Sequence, residues 1–351
     1  MSRRNATHPI PEISSRTAAA LPDLHRRRLL AAAGFVLAGG TLGALRPAHA
    51  DTVAGIPAGT AKIASLPAID ALLLFAAESD GLFKAEGLDV EIVPFKSALE
   101  MTAALRAGRI AGQYTNIMTT ITQRVNGIDV SIVATTWHTD PAARAFGFAV
   151  SPKYAAELPS LDVVKSKKGV PTSTSSGTIT DWMLDQMIDH ESVPAGALKE
   201  VEVPQIPIRL QLLNSGKLET ALFYEPLLTL IEQKGGRIVW DDRKLDEPLS
   251  MTALRREYLS PAFVGPFRKA LGEAARRIDA DPKKYLPLAV KKRLIPEVVA
   301  KDYQLQKFGG RPTADGLPAL PTEAEVARAA QWLIRRGILK TEPDLSGVVY
   351  R

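Results

Sequence analysis

Residues 169–184 read GVPTSTSSGTITDWML and hold seven Ser or Thr. An apolar approach gives way to hydroxyl-bearing residues and a glycine, and a helical pattern follows at once. Ser173, Thr174, Ser175, Ser176 and Gly177 therefore place hydroxyls and backbone N–H groups where a helix begins. The positive end of the helix dipole faces the same way, so the stretch is suited to a carboxylate, sulfonate, nitrate or carbonyl oxygen. Thr178 and Asp181 form a T-x-x-D box, which accounts for one hydroxyl by capping. An ordinary capped loop facing solvent is the competing reading. No G-K-[ST] follows, so this is not a phosphate loop of the Walker type.

Other candidates sit where strand patterns end. Thr115 and Asn116 close one strand, Tyr224 and Glu225 close another, and Trp137 and His138 a third. Asp70 opens a helix in the first half of the chain. It is either a ligand contact or a first-turn acid complementing the helix dipole. An aromatic wall with converging polar groups is the usual make-up of a small-molecule site. Trp137 fits a stacking platform and fits plain core equally. His138 reads more readily as a hydrogen-bonded structural histidine than as a ligand contact. The helix starts favour an anion, whereas Asp70 and Glu225 would welcome an amine or amidine unless Arg144 and Arg209 neutralise them.

Catalytic patterns are missing from the sequence. Beyond the first fifty residues there are two histidines, His138 and His190, in different blocks, and the chain has no cysteine. That excludes disulfides, thiolate metal sites and cysteine nucleophiles. Neither an H-x-x-x-H metal pair nor a G-x-S-x-G nucleophile elbow occurs. No catalytic residue, metal or cofactor is expected.

These residues are positioned by alternating strand and helix patterns. Strands are expected at 61–66, 88–95, 109–115 and 129–137, with helices at 69–79, 97–108 and 117–127 between them. A second block repeats the order, with strands at 167–172, 198–203, 218–224 and 236–242 and helices at 178–190, 206–216 and 226–234. LRAGRIAGQYTN and LNSGKLETALFYE share a Leu-x-x-Gly-Arg/Lys-Ile/Leu core, each leading from helix to strand. The fold class expected is α/β with two lobes, each a mainly parallel sheet flanked by helices, joined by two crossing segments. The lobes span 51–142 and 153–247, with hinge segments at 143–152 and 248–254, and a helical region at 255–351 packs back on lobe one. Ligands of open α/β sheets bind beyond the carboxyl ends of the strands, hence between the lobes.

The leader supplies most of the positive charge. The formal net charge is +6, and residues 1–50 hold seven Arg, no Lys and two acids. The remainder is almost balanced, so nothing in the totals calls for nucleic acid. HRRRLLAAAGFVLAGGTLGALRPAHA has a basic start, an apolar run and a final Ala-His-Ala, the pattern of an export signal cleaved near Ala50. RRRLL resembles a twin-arginine signal; the general secretory route is the alternative. The mature chain is expected to be a periplasmic monomer with no stable membrane insertion.

ESDGLFKAEGLDVEIVPFKSALEMTAALRAGRI resembles the opening of the nitrate/sulfonate/taurine-type substrate-binding proteins of ABC transporters, a group that includes binders of thiamine pyrimidine precursors. LLNSGKLETALFYEPLLTLIEQKGGRIV is similar to their second-lobe segment. The likeness covers roughly residues 61–260. It departs at Ala111, where the family usually has Asp, and at Glu219, which keeps only the acid. The resemblance implies the type II periplasmic-binding-protein architecture, a small-molecule solute, and an ABC permease with its ATPase as partners. Two alternatives are a thiamine-pyrimidine-synthase-like enzyme of the same fold, whose cysteine-rich motif this chain lacks, and a ligand-binding module for a sensor.

Overall fold

The computed structural model describes residues 55–301 and 303–351; the leader and its cleavage site lie outside the described residues. In the first lobe, strands β1 (Ala61–Ser65), β2 (Val90–Pro94), β3 (Gly112–Thr115) and β4 (Val130–His138) alternate with helices α1 (Leu72–Ser79), α2 (Leu82–Ala85), α3 (Ala98–Arg106) and α4 (Ile117–Val125). The second lobe holds β5 (Phe146–Val150), α5 (Leu161–Ser166), β6 (Val170–Thr174), α6 (Ile179–His190), β7 (Leu198–Glu202), α7 (Ile206–Asn214), β8 (Thr220–Tyr224), α8 (Leu227–Gln233) and β9 (Arg237–Asp241). The chain then returns through β10 (Pro248–Arg255) into α9 (Pro261–Ala280), α10 (Pro282–Lys291), α11 (Glu297–Ala300) and α12 (Glu323–Arg335).

The two sheets have matching orders, β2-β1-β3-β10-β4 and β7-β6-β8-β5-β9. In each, one strand runs against the rest: β10 is antiparallel to β3 and β4, and β5 is antiparallel to β8 and β9. Each of these is the first strand after the chain changes sheets. The stretches 143–152 and 248–254, expected as hinge, are thus largely sheet strands β5 and β10. The crossings themselves lie just before them, at 139–145 and 242–247. They are hydrogen-bonded to one another: the Thr139 hydroxyl donates to Leu245 O at 2.9 Å, and Glu247 N donates to the Thr139 hydroxyl at 2.9 Å.

Asp242 ties the same two crossings, accepting Ala145 N at 2.8 Å on Oδ1, while its Oδ2 is buried without a partner. Burial pushes its carboxyl up to about 7, against the pull of the backbone N–H groups. A raised folded-state value means that the fold holds a proton the unfolded chain has released. The stabilisation is complete below the unfolded value and is lost as pH rises through about 7. Asp242→Asn keeps the acceptor and removes the titration. Its melting temperature is expected to vary less between pH 5 and pH 8, and to exceed the wild type at pH 8 by the equivalent of about 1–3 kcal/mol. Parallel melting curves of the two proteins across that range would contradict this.

The C-terminal helices pack on lobe one, as their apolar faces require. Phe83 of α2 stacks on Phe267 of α9 with centroids 5.2 Å apart, and Phe267 on Phe263 at 5.9 Å. Helix α12 does more, because it also reaches lobe two. It packs on α4, while Trp332 meets Trp182 of α6 edge to face at 5.4 Å. The following tail returns to lobe one, where Val349 pairs beside Ile132 of β4. Helix α12 and this tail form a strap between the lobes. Among the described residues no helix is long and apolar enough to cross a membrane.

Candidate functional site

The hydroxyl-rich stretch folds differently from its sequence reading. Gly169 takes a left-handed conformation (φ 68°), so β6 starts at Val170 and runs through Thr174. Ser173 and Thr174 are therefore buried strand residues rather than loop. Ser173 pairs in register with Ala221 and shares its face, away from the strand end. Thr174 donates to the Thr180 hydroxyl at 3.3 Å. The T-x-x-D box expected at Thr178 and Asp181 does not form. The Thr178 hydroxyl donates to Ser175 O at 2.6 Å, and Asp181 accepts Gly177 N at 2.8 Å. Ser176 N donates to both oxygens of Glu202, at 3.2 and 3.0 Å. The N–H groups expected to be free for an anion are occupied by the chain's own carboxylates.

Ser176 and Gly177 line a cavity of about 410 Å³ between the lobes, facing Thr102, Arg106, Thr119 and Gln123, with Ile338 beside them. The other candidates fall elsewhere. Asn116 caps α4, accepting Thr119 N at 2.9 Å, and the Thr115 hydroxyl stays within the same turn. Trp137 is core, 1% exposed, tilted against Phe146 at 6.3 Å. His138 belongs to the crossing: its Nδ1 lies 3.0 Å from Thr139 O and its Nε2 3.5 Å from Asp246. Glu225 is committed too, accepting Arg144 Nε at 2.7 Å and Thr229 N and Oγ1 at 3.2 and 2.9 Å. Arg144 extends the pair to Glu232.

Asp70 and Tyr224 do converge. Asp70 follows β1, just before α1, and is 3% exposed. Its Oδ2 accepts the Tyr114 hydroxyl at 2.5 Å and the Ser250 hydroxyl, while Oδ1 has no partner. Burial raises its carboxyl above the usual range, opposed by the donors from Ser250 and Tyr114. Tyr224, at the end of β8, packs on Phe146 at 5.9 Å. Burial raises its phenol, and the charge of Asp70 raises it further. The same two causes act on Tyr114. Tyr303, after α11, is raised by burial and then by Glu225, with Asp70 contributing. Tyr114 of β3 thus touches the Asp70 carboxyl, and the phenols of Tyr224 in β8 and Tyr303 in the C-terminal region lie near enough for its charge to act on them.

Sequence reasoning missed Tyr114, Ser250 and Tyr303. Tyr114 was legible only as an alternating strand residue. Ser250 lies 180 residues from Asp70, and no local pattern links them. Among the described residues no group of His, Asp or Glu is placed to hold a metal ion.

The fold has many relatives of known structure. The periplasmic aliphatic sulphonate binding protein SsuA from Escherichia coli superposes with a TM-score of 0.67 at 17% identity, over 84% of this chain and 98% of that one. The alkanesulfonate-binding protein SsuA from Xanthomonas axonopodis pv. citri, bound to MOPS, gives 0.64 at 17% identity, over 83% and 98%. The periplasmic nitrate-binding protein NrtA from Synechocystis PCC 6803 gives 0.58 at 18%, over 82% and 83%. No curated protein sequence matches the chain. The profile of the NMT1-like family matches residues 54–289, more than half of the sequence. On that match, and with the two-lobed α/β architecture that goes with it, the chain belongs to the NMT1-like family.

Proposed function

We propose that this chain is the extracytoplasmic solute-binding component of an ABC importer. It captures a small polar solute between its lobes and delivers it to a permease driven by its ATPase. It works in the periplasm as a monomer and performs no chemistry on its cargo. The observation that carries the reading is the meeting of the two lobes' strand ends, where Trp137 of one lobe packs on Phe146 of the other and Phe146 on Tyr224, near enough to Asp70 for its charge to act on the Tyr224 phenol. A ligand touching both lobes binds the closed form better than the open one, and this difference in affinity drives closure about the crossings at 139–145 and 242–247. The sulfonate- and nitrate-binding neighbours support a small polar cargo such as an organic anion, and the resemblance to a group that includes binders of thiamine pyrimidine precursors adds polar heterocycles to the range.

The test is a thermal-shift screen against nitrate, bicarbonate, methanesulfonate, taurine, benzoate, ethanolamine and an aminopyrimidine. A solute at about 100 times its Kd adds about 2.7 kcal/mol, a shift of several degrees. Tyr224→Ala is expected to retain the wild-type fold and to lose most of that shift. A solute that shifts both proteins equally binds elsewhere and contradicts the assignment.

A further inference from the structure

The strap between the lobes is fastened unequally along its length. Helix α12 belongs to lobe one by its flanks: Thr135 N of β4 donates to Ala319 O at 2.8 Å ahead of it, and Ile132 N to Val348 O at 2.8 Å behind it. It also packs on α4. Its other contacts are with lobe two. Arg328, Trp332 and Arg336 recur every four residues and share one side of the helix. Asp181, Trp182 and Asp185 share the facing side of α6. Arg328 lies over the Trp182 ring at 5.6 Å and donates to Glu247 of the second crossing at 2.9 Å. Trp332 meets Trp182 and donates to Asp185. Arg336 donates to Asp181 and to both oxygens of Glu200 in β7.

Motion of lobe two about the crossings must part α12 from α6, because the hydrogen bonds to β4 keep the helix with lobe one. Parting them takes the cation away from Asp181, whose side chain is fully buried, and uncovers two indoles. The seam is made of the chain's own residues, so it acts whether or not a solute lies between the lobes. Its two ends are not equivalent. Arg328 is anchored to the crossing, where a hinge moves least. Arg336 lies about 12 Å further along the axis, at about 1.5 Å per residue. Past that end the cavity of about 410 Å³ separates Ser176 and Gly177 of lobe two from Thr102 and Arg106 of lobe one. The Arg336 end therefore travels furthest when the lobes part.

We propose that the seam between α12 and α6 is a latch that holds the two lobes together on its own, fastened at its far end by Arg336. Its use in function rests on the reading of the chain as a two-lobed solute binder: the fraction already closed sets the apparent affinity for the solute. The chain has no cysteine, so Leu99→Cys on α3 and Ile208→Cys on α7, both exposed and on opposite lobes, carry two spin labels without competing thiols. Pulsed dipolar spectroscopy of the labelled protein, with no solute added, reads the distance between the lobes. One narrow distance is expected with the latch intact. Arg336→Ala is expected to add a population longer by more than about 2 Å. Glu200→Gln is expected to do so to a smaller extent; that side chain is 42% exposed, and its loss leaves Asp181 paired. Phe83→Leu, which weakens packing inside lobe one, is expected to leave the distance unchanged. Unchanged distances in those of the first two variants that fold would overturn the latch, as would an equal lengthening in Phe83→Leu. That failure leaves the solute-binding reading standing, because no solute enters the measurement, and failure of the thermal-shift screen leaves the latch standing.

Discussion

Replacing Arg336 by alanine is expected to destabilise the protein strongly at pH 8 and much less at pH 5. The guanidinium donates to Asp181 Oδ1 at 2.6 Å and to both oxygens of Glu200, at 3.0 and 2.7 Å, and lies 3.7 Å from Asp185. The Asp181 side chain is fully buried, while Arg336 is 23% exposed. Removing one partner of a buried pair costs about 3–5 kcal/mol, and the partial exposure of Arg336 places this case at the lower end. The pH dependence follows from Asp181. Burial pushes its carboxyl up to about 6, although the Gly177 N–H and Arg336 oppose the rise. A raised folded-state value means that stability falls as pH climbs from the unfolded value through about 6. Without Arg336 the value climbs further, and the fall extends to higher pH. At pH 5 Asp181 is largely protonated in the fold and needs its partner less. Melting curves at the two pH values check this. A loss of the same size at both would assign Arg336 a packing role only.

Trp332→Ala is expected to be comparably severe, by a different cause. Trp332 is 1% exposed, meets Trp182 edge to face at 5.4 Å, and donates its indole N–H to Asp185 at 2.7 Å. Truncating a buried Trp costs about 3–5 kcal/mol through lost transfer energy and the cavity left behind. Trp332→Phe keeps most of the packing and removes the donor, so it is expected to cost about 1–3 kcal/mol. Chemical denaturation of the three proteins gives the comparison. Because α12 rests on α4 and grips α6, both substitutions also loosen the strap between the lobes. A Trp332→Phe loss equal to that of Trp332→Ala would mean that the indole hydrogen bond, not the packing, holds the strap.

The architecture was legible because its signals are local. Strand and helix periods alternate, and the Leu-x-x-Gly-Arg/Lys-Ile/Leu repeat appears once in each half. The sheet order was not legible, since β5 and β10 take their places only after the chain crosses between lobes. The site was half legible. Tyr224 was read from its position at a strand end and Asp70 from its place at the start of a helix, and the fold brings both near the junction of the lobes. The hydroxyl stretch misled because β6 starts three residues later than its pattern and ends two residues later, which puts Ser173 and Thr174 inside the strand. Its N–H groups were then claimed by Glu202 and Asp181, and only the folded chain brings Glu202 there. Tyr114, Ser250 and Tyr303 come from three distant segments, so their meeting at Asp70 is a tertiary fact.

The most direct measurement is a titration of the solute that most stabilises the protein, run side by side on the wild type and Tyr224→Ala. The account predicts one site per wild-type chain and an affinity at least tenfold weaker in the variant, about 1.4 kcal/mol, with both proteins folded. Equal affinities, or no stabilising solute at all, would contradict the claim that the lobes meet around a ligand at Asp70 and Tyr224.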